Sequence, residues 1–151
     1  MQIFCPYPEP LNVAKAMWND RLRYNKQIVE AIQIIKAIEG AKAWRNHPIV
    51  KMYKEHEDWL ICYAKCLTAF RDYMETKDIK KINEAVAWSA NADLCKPSFL
   101  TDELCDQHKR RLYTKSTELY PQFAKYGKSD VNFYFVDGEL LKYKDGKRIK
   151  E

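Results

Sequence analysis

Apolar positions along this chain recur mostly at spacings of three and four, the repeat of an amphipathic helix. Only 4 glycines and 6 prolines interrupt 151 residues, and such sparse punctuation predicts an all-α domain. After Pro8 and Pro10, LNVAKAMWNDRLRYNKQIVEAIQIIKAIEG sets Ile28, Ala31, Ile32, Ile35 and Ile38 on one face before Gly40 offers a stop. Asn19 and Asp20 allow either one long helix or a short and a long one sharing that buried face. The next helix is predicted from about Pro48 to Met74, with Ile49, Met52, Tyr53, His56, Trp59, Leu60, Tyr63, Leu67 and Phe70 in helical register. This is the expected central core helix, and His56 reads as a hydrogen-bonded core residue. A weaker helix is predicted from Ile79 to about Ala90, and another opens at Thr101 or Asp102. The period then changes: VNFYFVDGELLKYKDG places apolar runs on both sides of Asp137-Gly138, a hairpin pattern. The expected fold is a compact single-domain helical bundle over residues 1–151, with 127–151 forming a short C-terminal β-hairpin and a mobile basic tail.

Composition narrows the class. With 46% hydrophobic and 31% charged residues, and no apolar run of membrane-spanning length, a soluble protein without a membrane role is expected. The opening MQIFCPYPEP lacks the basic start and apolar core of a signal peptide, so a cytoplasmic location is expected. The five cysteines form no C-x-x-C pair and read as thiols; no metal is expected. Cys62 and Cys66, one turn apart, read as core. A net charge of +5 is compatible with an acidic partner, and its distribution must decide.

Three stretches carry candidate chemistry. Trp44, Arg45, Asn46 and His47 directly precede Pro48, which suits the first turn of a helix. They either flank an anion held at that helix start or merely cap it and cover the core edge, and these residues alone favour the second. On the first long helix, Arg23, Lys26, Gln27, Glu30 and Gln33 lie opposite the isoleucines. Glu30 is the only acid there, and an ordinary Lys26–Glu30 surface pair is its simplest reading. The Thr101 helix carries His108, Lys109, Arg110, Arg111 and Lys115, with Tyr113, Tyr120 and Phe123 following. Cations beside aromatic rings suit phosphates and unpaired bases, yet the same pattern describes a solvated face whose tyrosines seal a core; both readings stay open.

Taken together, MQIFCPYP, RL followed by KQIVEAIQII, WRNHPIVKMY with its Trp/Tyr-rich helix, and PSFLTDELCDQHKRRLYTKSTELYPQF resemble the pyrimidine dimer DNA glycosylase family of phage endonuclease V type. The resemblance spans roughly Met1 to Phe123 and is greatest to the branch of small bacterial and phage proteins grouped with that enzyme. It implies a compact helical fold and a cofactor-free, monomeric DNA repair glycosylase with associated abasic-site lyase activity on damaged double-stranded DNA. In the family an N-terminal α-amine attacks the sugar carbon of the damaged nucleotide, assisted by a glutamate on the first long helix. Such an amine has a pKa about two units below that of lysine, so a useful fraction is neutral and nucleophilic. The resemblance assigns catalysis to Met1 and Glu30, and DNA contact to Arg21, Arg23, Lys26, Gln27, Trp44, Arg45, Asn46, His47, His108, Arg111 and Lys115. The long Gln2 side chain disfavours removal of the initiator, leaving the amine on Met1, whose side chain would rest against Phe4 or Trp18. Two other readings remain: a noncatalytic nucleic-acid-binding protein of the same fold, and an enzyme acting on a small phosphorylated ligand.

Overall fold

Asp20 divides the first long apolar stretch into two helices in the computed structural model, which describes residues 1–150: α1 (Pro10–Met17) and α2 (Arg21–Ile38). Its side chain accepts the Arg23 N–H at the start of α2, pairs with the Arg23 guanidinium at 3.1 Å and accepts the Tyr120 hydroxyl at 2.7 Å. A buried carboxylate is costly unless paired in this way. The single helix expected from Pro48 to Met74 is two, α3 (Pro48–Tyr53) and α4 (Glu57–Thr76). His56 sits at the break as the residue before α4, partly exposed and edge-on to Phe99 at 5.3 Å; it is not in the core stripe. Glu57 and Asp58 then open α4, where acidic groups complement the helix dipole. Across the break Tyr53 and Trp59, both fully buried, stack with centroids 5.9 Å apart.

The remaining helices begin at the expected residues. Asp78 accepts the Lys80 N–H ahead of α5 (Ile79–Leu94), which runs one turn past the expected end. Thr101 accepts the Leu104 N–H ahead of α6 (Asp102–Lys115). A 3-10 turn covers Pro121–Tyr126. The hairpin pairs β1 (Asn132–Val136) with β2 (Glu139–Lys144) about Asp137 and Gly138, whose positive φ values of 52° and 77° suit a tight antiparallel turn. The same turn recurs at Asp145 and Gly146, and Lys147–Arg148 forms a third strand, β3. Residues expected in a tail thus belong to a three-stranded sheet, ordered β1-β2-β3; the tail's last residue, 151, lies outside the described residues.

Helix makes up 59% of the described residues, as the apolar period predicted. The core centres on α4, which packs against α1, α2 and α5 and buries Trp59, Leu60, Tyr63, Leu67 and Phe70. Truncating a fully buried leucine there, such as Leu67, removes about 2–5 kcal/mol through lost transfer energy and the cavity left behind. Among the described residues no helix is long and apolar enough to cross a membrane.

Candidate active site

The segment Met1–Cys5 lies against α2 outside any helix or strand, so its backbone groups need side-chain partners. The Gln2 N–H donates to Glu30 Oε2 at 3.3 Å, and Gln27 Nε2 donates to the Gln2 carbonyl at 3.0 Å. The Phe4 N–H donates to Gln27 Oε1 at 2.7 Å while the Tyr63 hydroxyl donates to the Phe4 carbonyl at 2.9 Å. The Cys5 N–H donates to His108 Nδ1 at 2.7 Å, and the Tyr134 hydroxyl donates to the Met1 carbonyl at 2.9 Å. Gln27 and Glu30, expected on a polar outer face, are therefore only 2% and 7% exposed, beneath the N-terminal segment. Conversely Ile32, expected on the buried face, is 41% exposed. The N-terminal segment covers this part of the helix, and Gln27 and Glu30 are buried because they satisfy its amides and a carbonyl.

A cleft of about 120 Å³ opens beside this segment, lined by Met1, Gln2, Phe4, Arg23, Lys26, Gln27, Glu30, Arg111, Lys115 and Asn132. A neighbouring hollow shares Met1, Lys26 and Glu30 and adds Val29, Gln33 and Trp44. Burial lowers the pKa of the Met1 amine below its ordinary 8.0; Lys26, Lys115 and Arg111 act the same way, with Glu30 opposing. Lys26 reaches Glu30 Oε1 at 3.8 Å with its own side chain 70% exposed. Burial also lowers Lys115, helped by Arg111, Arg23 and Lys26. Arg111 is fixed by hydrogen bonds to Asn132 Oδ1 at 3.0 Å and the Ser129 carbonyl at 3.3 Å. The arrangement gathers one amine, one carboxylate and several cations at a concave surface, which suits an anionic substrate with a reactive carbon near the amine.

Several expected contacts are placed elsewhere. His108 is 1% exposed and lies beneath the cleft, so it offers no surface to DNA. Burial pushes its pKa down to about 3. With Nδ1 accepting from Cys5, the ring proton sits on Nε2, 3.1 Å from the end of the Gln2 side-chain amide, which must present its oxygen there to accept it. Gln27 touches the cleft, but both ends of its amide are engaged by Gln2 and Phe4. Arg21 stacks over the Trp18 ring at 3.4 Å and does not line the cleft. Arg45 and Asn46 are exposed in the loop before α3 and do not line it either.

His47 is the cap of α3: Nδ1 accepts the Ile49 N–H at 3.0 Å, occupying the group an anion would have used. Burial and then the nearby amine bring its pKa down to about 4. The capping part of the simpler reading holds at His47, whereas Trp44, 49% exposed, does not cover the core edge but faces the hollow beside the amine. The basic cluster on α6 divides too. Lys109 is buried over Tyr7 and Tyr126, and Arg110 donates to the Tyr126 carbonyl, so only Arg111 and Lys115 reach the cleft. Tyr120 and Phe123 are core, stacked at 6.0 Å, and cannot serve as stacking platforms. Sequence reasoning missed Tyr134 and Asn132, whose strand the hairpin pattern located without saying what it packs against.

The pyrimidine dimer DNA glycosylase family matches residues 1–80. The chain belongs to that family. No curated protein and no solved structure matches it. The matched part of this glycosylase-family chain comprises α1 to α4 and carries Met1, Arg23, Lys26, Gln27, Glu30 and Trp44. Arg111, Lys115 and Asn132, which complete the cleft, and Tyr134, which holds the Met1 carbonyl, come from beyond it.

Proposed function

We propose that this protein excises the base of a pyrimidine-dimer type lesion from double-stranded DNA and then cleaves the abasic strand through a Schiff base on the Met1 amine. The observation that carries this reading is an amine of lowered pKa in one cleft with the buried carboxylate of Glu30 and the cations of Arg23, Lys26, Arg111 and Lys115. A neutral amine supplies the electron pair that bonds to the sugar carbon as the glycosidic bond breaks, and the departing base takes that bond's electrons and a proton. Opening of the sugar ring gives the imine. Loss of the neighbouring sugar proton then expels the 3′ phosphate. Positive charge develops on the sugar throughout, and Glu30 is the group placed to oppose it and to move protons. The cations hold backbone phosphates, and Trp44 offers a ring face to an unpaired base.

Borohydride trapping on duplexes carrying an abasic site or a pyrimidine dimer tests this. A covalent adduct at the N-terminal residue is expected. Tight DNA binding without any adduct would overturn the enzymatic reading and leave a noncatalytic DNA-binding protein of the same fold.

A further inference from the structure

We propose that Tyr134, on β1 of the C-terminal sheet, is a positioning residue for the Met1 amine, so that a part of the chain beyond the family match completes the reactive centre. This rests on the reading of Met1 as the nucleophile. The peptide group joining Met1 to Gln2 is held on both sides: the Tyr134 hydroxyl donates to its carbonyl at 2.9 Å, and its N–H donates to Glu30 Oε2 at 3.3 Å. With that planar group fixed, the amine can move only by rotation about the Met1 Cα–C bond, on an arc of radius about 1.4 Å set by standard bond lengths.

Tyr134 is itself held firmly. It is buried, sits opposite Leu141 in the β1–β2 register, and lies edge-on to His47 at 5.6 Å and Tyr143 at 5.4 Å. Burial raises its phenol to about 12, so it stays a donor at any working pH. Without that hydroxyl the peptide would depend on the longer bond to Glu30, and displacement of a reacting group by about 1 Å can cost a hundredfold in rate.

Tyr134→Phe keeps the ring packing and removes only the donor. The expected result is a folded protein that binds abasic-site duplex within about twofold of the parent but is trapped about tenfold to a hundredfold more slowly at saturating DNA. A second measurement needs no DNA: labelling of the N-terminal amine by cyanate across pH. Besides Tyr134, the groups facing the amine are Glu30, Lys26, Arg111, Lys115 and His47. All are left in place, so release from the clamp returns water to the amine and shifts the labelling midpoint up toward 8.0, its ordinary value. Tyr143→Phe, in the same sheet, should leave the midpoint where it is. An unchanged midpoint in Tyr134→Phe, or an equal shift in both variants, overturns the proposal, as does a Tyr134→Phe chain that fails to fold. If the parent forms no adduct while the midpoint still shifts, the clamp stands and the nucleophile assignment falls.

Discussion

Glu30 is shared between Gln2 and Lys26: one carboxylate oxygen accepts the Gln2 N–H at 3.3 Å and the other lies 3.8 Å from the Lys26 ammonium. Helical spacing alone describes this as an exposed pair worth a few tenths of a kcal/mol. The N-terminal segment changes its meaning, because it buries the carboxylate and places the chain's own amine beside it.

Glu30→Gln preserves the side chain's size and an oxygen able to accept from Gln2 while removing the charge. Base excision should fall by about two or more orders of magnitude, the scale of general acid–base groups. DNA affinity should hold or rise, since one charge that repels phosphate is gone, and the melting temperature should stay near the parent's. A folded variant that excises normally would remove Glu30 from the mechanism.

Lys115 and Arg111 face the same cleft but are anchored differently. Lys115→Ala should weaken binding to any duplex and reduce the slope of log affinity against log salt by about 0.9, one released counterion, with no effect on stability. Arg111→Ala should change the slope similarly and also lower the melting temperature, because it abandons Asn132 and the Ser129 carbonyl; the cost is about 1–3 kcal/mol. Salt slopes unchanged in both variants would reduce these cations to a solvated edge.

The helical elements were legible because apolar spacing and caps such as Asp20 and Thr101 are local signals. The break at His56 carries no glycine or proline and follows from packing Tyr53 onto Trp59, a tertiary demand that periodicity does not encode. The site divided in the same way. Arg23, Lys26, Glu30, Arg111 and Lys115 could be picked out as charges on helix faces, whereas the burial of Gln27 depended on where an N-terminal segment outside any helix or strand would lie. His108 looked like a surface cation for the same reason. Its neighbours Lys109 and Arg110 are charged, yet the helix turns the imidazole toward Cys5.

His108 makes a prediction about acid. Its pKa is about 3 in the folded chain against 6.5 ordinarily, and His47 is lowered to about 4. The unfolded chain therefore binds protons first as pH falls. Their contribution to stability is complete above pH 6.5 and is lost progressively below it, by up to about 1.4 kcal/mol per pH unit for the fully buried His108 and by less for the half-buried His47, which solvent screens. Thermal melts of His108→Gln should show a lower melting temperature than the parent at pH 7 but a smaller further drop between pH 7 and pH 5. Equal drops in the two proteins would mean that His108 does not titrate with folding.

The amine itself gives the last test. Acetylating Met1, or preceding it with an uncleaved extension, removes the proposed nucleophile but leaves Arg23, Lys26, Arg111 and Lys115 in place. Trapping should disappear while duplex affinity stays within a few-fold of the parent's, roughly the change expected from losing one partly buried positive charge. In the unblocked protein, trapping at saturating DNA needs the neutral amine, so its rate should rise with pH along a limb whose midpoint lies below 8.0, displaced in that direction mainly by burial. A limb centred near 10 would indicate a lysine. Lys26, which lines the cleft one turn before Glu30, is the first to replace. Full trapping by the acetylated protein together with loss in Lys26→Arg would transfer the nucleophile to that side chain, since a guanidinium keeps the charge and cannot supply a neutral amine.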